Sequence, residues 1–249
     1  MGTDTTTAGA FGTATGTQKF ILSGTLPTVT NGTLATPNMV LRNNALNSDA
    51  NFVSVIATHG FQPHSGTEQT SVAAFTATSI GAITAADLTV AAATDVYALK
   101  TSANINAGTA GDVLRINNGG LILNGSTAPV IGGNGTAMTL RFGTSSATTD
   151  AYVHVREGQT GISTLTASIQ ANDFIKFGAG NLLIDGTNNL MVPTTALRTL
   201  YVQEGILRFG SDASVPTGGT GTNGRINLMV NDTGTFDLNG QNITIGSLS

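Results

Sequence analysis

The residues that could do chemistry are few, and the densest group of them lies between positions 59 and 68. His59 and His64 are five residues apart, and Glu68 follows in the polar stretch FQPHSGTEQT. Imidazole and carboxylate groups can together bind a metal ion, but such a site needs a further ligand at a suitable spacing. The sequence offers no such ligand, so we predict a polar loop without a metal.

Charged side chains are sparse elsewhere. Polysaccharide lyases and hydrolases need acidic and basic groups clustered on one face. The close opposite-charge neighbours are Arg156 with Glu157, Lys176 with Asp173, and Glu204 with Arg208. Ion pairing at the protein surface explains each of them. His154 alternates with valines on a predicted strand and is expected to point outward. We therefore predict no catalytic residues.

The sequence predicts neither a calcium site nor a phosphate site. Asp185, Asp232 and Asp237 offer the hard oxygen ligands that Ca²⁺ prefers. The glycine-rich nonapeptide of calcium-binding repeats is absent. The glycines at 178 and 180 precede no predicted helix, so they do not form a phosphate loop. No metal and no cofactor are predicted.

The composition excludes several classes of protein. Only 10% of the 249 residues are charged, against a usual value of about 25%. The net charge is −4 and no basic cluster occurs, which argues against nucleic-acid binding. Cysteine and tryptophan are absent and aromatic residues make up 5%, which argues against disulfides and against an aromatic sugar-binding cleft. No apolar run approaches the ~18 residues of a membrane-spanning helix.

Short apolar segments recur along the chain, and each is closed by Gly, Asn or Asp. The word GLILNG (120–125) parallels NLLIDG (181–186), and LRFG occurs at 140–143 and at 207–210. Continuous apolar runs of this length favour parallel strands that are covered on both faces. Since the copies are unevenly spaced, we predict stacked rungs with corner loops of varying length. The fold class is therefore predicted to be all-β, a parallel β-helix (β-solenoid) with irregular loops.

Three sequence segments near the end of the chain resemble the repeat of a known family. GAGNLLIDGTNN (178–189), VQEGILRFGS (202–211) and INLMVNDTGTFDLNGQNITIGSLS (226–249) resemble the autotransporter-associated β-strand repeat, also called the passenger-associated transport repeat, of secreted bacterial proteins. The similarity extends from about Asp95 to Ser249, although LMVPTT (190–195) departs from the usual pattern. The resemblance implies a right-handed parallel β-helix, secretion, an extracellular or cell-surface location, and no catalytic residues.

The domain organisation follows from these patterns. Residues 1–18, rich in Thr, Ala and Gly, are predicted to be an extended arm. Residues 19–94 are predicted to be an N-terminal β region that supplies either the first rungs or a cap. Residues 95–249 are predicted to form the parallel β-helix.

The predicted function is that of a non-enzymatic extracellular structural protein. A stack of rungs ends in unpaired strand edges, and the last rung carries no charge. Head-to-tail association into a filament or surface layer would cover such ends. The predicted subunit contact consists of apolar residues near the two chain ends, namely Phe20, Leu22, Leu26, Val29, Ile243, Ile245 and Leu248.

Two alternatives remain open at this point. A cell-surface adhesin that binds extracellular glycans would bring the tyrosines, Tyr97, Tyr152 and Tyr201, onto one exposed face. A polysaccharide-active enzyme would instead bring at least three ionisable groups together.

Overall fold

The computed structural model describes residues 25–42, 50–56, 60–84, 86–187, 189–191, 198–217 and 225–249. The predicted arm at 1–18 lies outside these ranges. The described part of the chain is nearly all β and includes two short 3-10 helices, Val72–Ala74 and Asp212–Ser214. None of its helices is long and apolar enough to cross a membrane.

The chain begins with antiparallel structure. Strands β1 (Val29–Thr30) and β2 (Thr33–Leu34) form a hairpin, whose turn places Asn31 and Gly32 at positive φ. Strands β3 (Val40–Arg42), β4 (Ala50–Ile56) and β5 (Gly60–Pro63) form a three-stranded antiparallel sheet.

The remaining strands pair in parallel. They are β6 (Glu68–Gln69), β7 (Ile80–Ile83), β8 (Leu88–Val90), β9 (Ala93–Val96), β10 (Ala98–Thr101), β11 (Ile105–Ala107), β12 (Asp112–Ile116), β13 (Gly120–Leu123), β14 (Val130–Ile131), β15 (Met138–Phe142), β16 (Ala151–Val155), β17 (Ser163–Leu165), β18 (Ser168–Ala171), β19 (Phe174–Phe177), β20 (Asn181–Ile184), β21 (Leu190–Met191), β22 (Thr199–Phe209), β23 (Asn227–Asp237) and β24 (Ser247–Leu248).

Each strand from β7 to β18 pairs with the strand three places further along the chain, which gives three rows. The first row contains β6, β7, β10, β13, β16 and β19. The second contains β8, β11, β14, β17 and β20, and the third contains β9, β12, β15, β18 and β21. Strand β22 pairs with β19 through its first residues and with β20 through its last ones, so it belongs to both the first and second rows. Strand β23 pairs with β22 along both halves.

Apolar side chains from all three rows share one core. The inward positions alternate along each strand, as the buried–intermediate–buried pattern of β12 and β15 illustrates. Representative members are Leu121, Val153 and Val202 from the first row, Leu165, Leu182 and Leu207 from the second, and Leu114, Leu140 and Ile169 from the third.

The prediction of a right-handed parallel β-helix is wrong. The first and second rows merge into one 14-stranded sheet, the third row is a separate five-stranded sheet, and β1–β5 are antiparallel, so the described strands form no closed solenoid. The merger occurs because β22 does not end between the rows. Its register shifts between Val202 and Glu204, and Gly205 has a φ of 70°, which lets the strand continue from one row into the next. The apolar segments predicted strands, but they did not specify where a strand ends.

The antiparallel sheet packs on the outer face of the first row. Ala50 and Phe52 of β4 form a second apolar cluster with Ile80, Ala98 and Ile122. A third cluster surrounds Leu34, Val53 and Val55. Parallel pairing begins at β6 and β7, inside the predicted N-terminal region, and the predicted boundary after residue 94 stays a prediction.

Candidate functional site

The C-terminal end of the 14-stranded sheet has an open edge. Strand β24 pairs with β23 only at Asn227 and Leu228. Ser249 adds two backbone hydrogen bonds, since it accepts the N–H of Val230 and donates its own N–H to Leu228. Along the rest of β23 no strand of the described ranges pairs with the outer edge. Backbone N–H and C=O groups on such an edge are available to a further strand.

An apolar concavity of about 470 Å³ adjoins this edge. It is lined by Leu228, Val230, Gly234, Thr235, Phe236, Leu238, Ile243, Ile245 and Leu248. Leu238 and Leu248 remain 51% and 69% exposed, so two large apolar side chains lie in solvent at its rim. We call the concavity together with the outer edge of β23 the C-terminal surface.

The predicted contact residues fall into separate places. Ile243, Ile245 and Leu248 all line the C-terminal surface. Leu26 packs instead against the cluster around Leu34, Val53 and Val55, and Val29 lies on β1 with 37% of its surface exposed. Phe20 and Leu22 lie outside the described residues. The structure therefore brings the three C-terminal residues together and places the two described N-terminal ones elsewhere.

The N-terminal end of the parallel sheet is covered. Val72, from the first 3-10 helix, and Phe75, directly after it, pack against the main core. The ring of Phe75 approaches Gly81 of β7 so closely that a Cβ there would lie 2.9 Å from the ring. Side chains of the same chain thus close this end of the core.

A lysine is buried where a hydrophobic residue is expected. In the first row, Lys176 occupies the register position of Val153 and Val202 and is fully buried. Its ammonium group donates hydrogen bonds to the carbonyl oxygens of Gly178 and Glu204, the latter at 2.6 Å. Burial lowers the pKa of Lys176 to about 7, although the charge of Glu204 opposes the shift.

Two of the predicted surface ion pairs are therefore wrong. Lys176 is buried within β19, where its ammonium group bonds to backbone carbonyl oxygens and not to Asp173. Glu204 pairs with Arg42 at 3.3 Å, and Arg208 pairs with Asp237 at 2.8 Å. The ion pair with Arg208 also occupies the carboxylate of Asp237, which was considered as a calcium ligand. A lysine enclosed by apolar neighbours in the run FIKF was the signal that could have predicted its burial.

His154 lies on the outer side of the first row, as expected, but it is buried there. Only 2% of it is exposed, and its ring contacts Phe177 edge-on at a centroid distance of 5.3 Å. Within the described ranges neither ring nitrogen has a hydrogen-bond partner. Burial, together with the charges of Arg42 and Lys176, lowers its pKa to about 3. The imidazole is therefore neutral at physiological pH.

The histidine and glutamate weighed as metal ligands form an ion-pair network. The Nε2 of His64 lies 2.9 Å from Glu68, whose carboxylate also pairs with Lys100 at 3.4 Å. Burial opposes ionisation of Glu68, but the charge of Lys100 and the bond to His64 outweigh it and hold its pKa below the usual value. His59 lies outside the described residues, and among those described no three His, Asp or Glu residues are grouped as metal ligands.

The tyrosines separate into two groups. Tyr97 is buried in the second apolar cluster. Tyr152 and Tyr201 occupy the same outward register position of the first row, one on either side of Ile175. Two of the three tyrosines thus share a face.

Three ionisable residues lie beside these tyrosines. Asp150 accepts the backbone N–H of Asp173 at 3.3 Å, and Asp173 lies 3.9 Å from Arg198. Burial and the neighbouring carboxylate of Asp150 raise the pKa of Asp173. The hydrogen bond that Asp173 accepts from the N–H of Thr199 acts in the opposite direction but does not cancel this rise. A polysaccharide-active enzyme was predicted to bring at least three ionisable groups together. Asp150, Asp173 and Arg198 meet this condition only in part, because Asp173 and Arg198 form an ion pair.

Comparison with known proteins gives no relative: no protein-family model, no curated protein and no solved structure matches the chain. The resemblance to the autotransporter-associated repeat remains a prediction.

Proposed function

We propose that this chain is a non-enzymatic structural protein that associates with further copies of itself through the C-terminal surface. The observation that carries the proposal is the contrast between the two ends of the parallel sheet. Both ends have strand edges that no described strand pairs with. Val72 and Phe75 pack on the core at one end, whereas the large apolar side chains of Leu238 and Leu248 stay exposed at the other. Apolar area removed from water contributes about 25 cal/mol per Å², so covering this surface favours association.

The arrangement we propose is head to tail. Strand β1 pairs only with β2 among the described strands, so its other edge is also available, and it carries the exposed Val29. An edge from each end of the chain can then join neighbouring copies by strand addition. A contact between two different surfaces continues into a filament or layer unless its rotation closes a ring.

An extracellular or cell-surface location belongs to the same proposal. Its support is the resemblance of the C-terminal words to repeats of secreted bacterial proteins, together with the absence of cysteine. A surface with 10% charged residues also offers little like-charge repulsion between copies.

Sedimentation velocity over a wide range of protein concentration tests the proposal. The wild-type chain is expected to form larger species as its concentration rises. Leu248→Asp places a charge in the apolar contact and is expected to weaken association by about tenfold or more. Met39→Asp is the matched control, because Met39 is 42% exposed and belongs neither to the C-terminal surface nor to β1.

Two outcomes would contradict the proposal, one for self-association itself and one for the head-to-tail arrangement. A wild-type chain that stays monomeric at every concentration contradicts self-association. Normal association by Val29→Asp, combined with its loss in Leu248→Asp, retains the C-terminal contact and rejects the head-to-tail arrangement.

A further inference from the structure

An apolar and aromatic stripe runs across the outer face of the first row, apart from the C-terminal surface. Tyr152, Ile175, Tyr201 and Met229 are aligned on four consecutive strands, β16, β19, β22 and β23. Neighbouring strands are about 4.8 Å apart, so the two tyrosines stand about 10 Å apart. Both are partly exposed, and Ile175 between them is 8% exposed. The stripe therefore presents two partly exposed rings at a fixed spacing, with the buried Ile175 between them.

A polar margin follows one side of the stripe. Asp150 and Asp173 occupy neighbouring positions just before β16 and β19, and Arg198 directly precedes β22. Burial and the nearby charge of Asp150 raise the pKa of Tyr152, and Asp173 accepts the N–H of Thr199 at 3.0 Å. Each carboxylate has further acceptor positions. The margin thus presents hydrogen-bond acceptors and a net negative charge beside the rings.

This combination narrows the class of ligand. Sugars carry C–H faces that pack on aromatic rings and hydroxyl groups that donate to carboxylates. Two carboxylates against one guanidinium disfavour an anionic polymer such as a nucleic acid or a uronic-acid polysaccharide. The spacing of the rings is of the same scale as that of alternate sugars in an extended β-1,4-linked chain. The low aromatic content of the sequence does not conflict with this, because two of its three tyrosines lie in one stripe.

We propose that this stripe binds a neutral, extended β-1,4-linked polysaccharide, with Tyr152 and Tyr201 packing against alternate sugars and Asp150 and Asp173 accepting hydrogen bonds from sugar hydroxyls. The site is independent of self-association, since its aromatic and acidic residues lie outside the C-terminal surface. It requires no bond to be broken in the ligand.

Affinity electrophoresis in gels that contain hydroxyethylcellulose, a neutral β-1,4-linked polymer, tests the proposal. The wild-type chain is expected to be retarded, and polygalacturonate, an anionic polymer, is expected to retard it much less. Tyr201→Ala is expected to weaken binding by about tenfold, whereas Tyr201→Phe keeps the ring and binds within about twofold of the wild type. Leu183→Ala, on the outer face of the second row, is the matched control and binds as the wild type does.

A second readout does not depend on variants that fold. The chain has no tryptophan and three tyrosines, so near-ultraviolet absorbance and emission report directly on tyrosine. Addition of hydroxyethylcellulose is expected to perturb the tyrosine spectrum of the wild-type chain in a saturable way. Absence of both retardation and perturbation overturns the proposal, and so does unchanged binding by Tyr201→Ala. Equal retardation by polygalacturonate overturns the assignment to a neutral ligand.

Discussion

The two ends of the parallel sheet differ in what covers them. At the N-terminal end, Val72 and Phe75 follow one another closely in sequence and pack directly on the core. At the C-terminal end, Ile243 and Ile245 also pack on the core, but the outer edge of β23 and the side chain of Leu248 stay uncovered. Under the proposed function, the N-terminal cover contributes to folding of the single chain, whereas the C-terminal surface contributes to association.

At the end of β23, the charge of Asp237 is neutralised by Arg208 at 2.8 Å.

The largest expected effect concerns the cover at the N-terminal end. Phe75→Ala removes a ring that contacts the core, so the free energy of unfolding is expected to fall by about 3 kcal/mol. Leu238→Ala, at the exposed rim of the C-terminal surface, is expected to change the unfolding of dilute protein by less than about 0.5 kcal/mol. Urea titration of both variants at low concentration provides the measurement. Equal losses at the two ends would remove the contrast between them.

A smaller effect on stability is expected from Lys176, the buried lysine of the first row. Leu121 and Val153 occupy the same register position on neighbouring strands and do not titrate. The folded-state pKa of Lys176 is about 7, below the ordinary value of 10.5. Between these values the unfolded chain binds more protons, so stability rises with pH. From pH 7 to pH 9 the lysine is expected to add about 2 kcal/mol to the free energy of unfolding.

Urea titration at pH 7 and pH 9 compares the wild-type chain with Lys176→Met. The variant lacks the titrating group and is expected to lose this increase, whatever its absolute stability. The same rise in both proteins would show that Lys176 is not buried as a titrating group in the folded chain.

The repeated sequence segments show which features of the fold could be predicted from the sequence and which could not. GLILNG lies in the first row, whereas NLLIDG lies in the second. The two copies of LRFG lie in the third and second rows. A run of apolar residues closed by a small or polar residue suits any row that faces the shared core, so the words predicted strands and their parallel pairing. They carried no information about which row a strand joins.

The antiparallel sheet and the continuous β22 depend on contacts that no local pattern reveals. Phe52 is buried because Ile80, Ala98 and Ile122 are its neighbours, and all three are distant from it in sequence. Of the predicted contact residues, the C-terminal ones could be recognised because an uncharged, apolar segment was visible locally. Leu26 and Val29 could not be placed, because their surroundings come from β4 and its neighbours.

Amide hydrogen exchange along β23, measured as a function of protein concentration, tests the central claim most directly. If the outer edge of β23 pairs with a neighbouring copy, protection of alternate amides between 231 and 237 is expected to rise with concentration. The amides of residues 72–75 serve as the internal control, since they belong to the cover of the opposite end and their exchange is expected not to depend on concentration. Exchange along β23 that does not change with concentration would contradict the claim that this edge is the association surface.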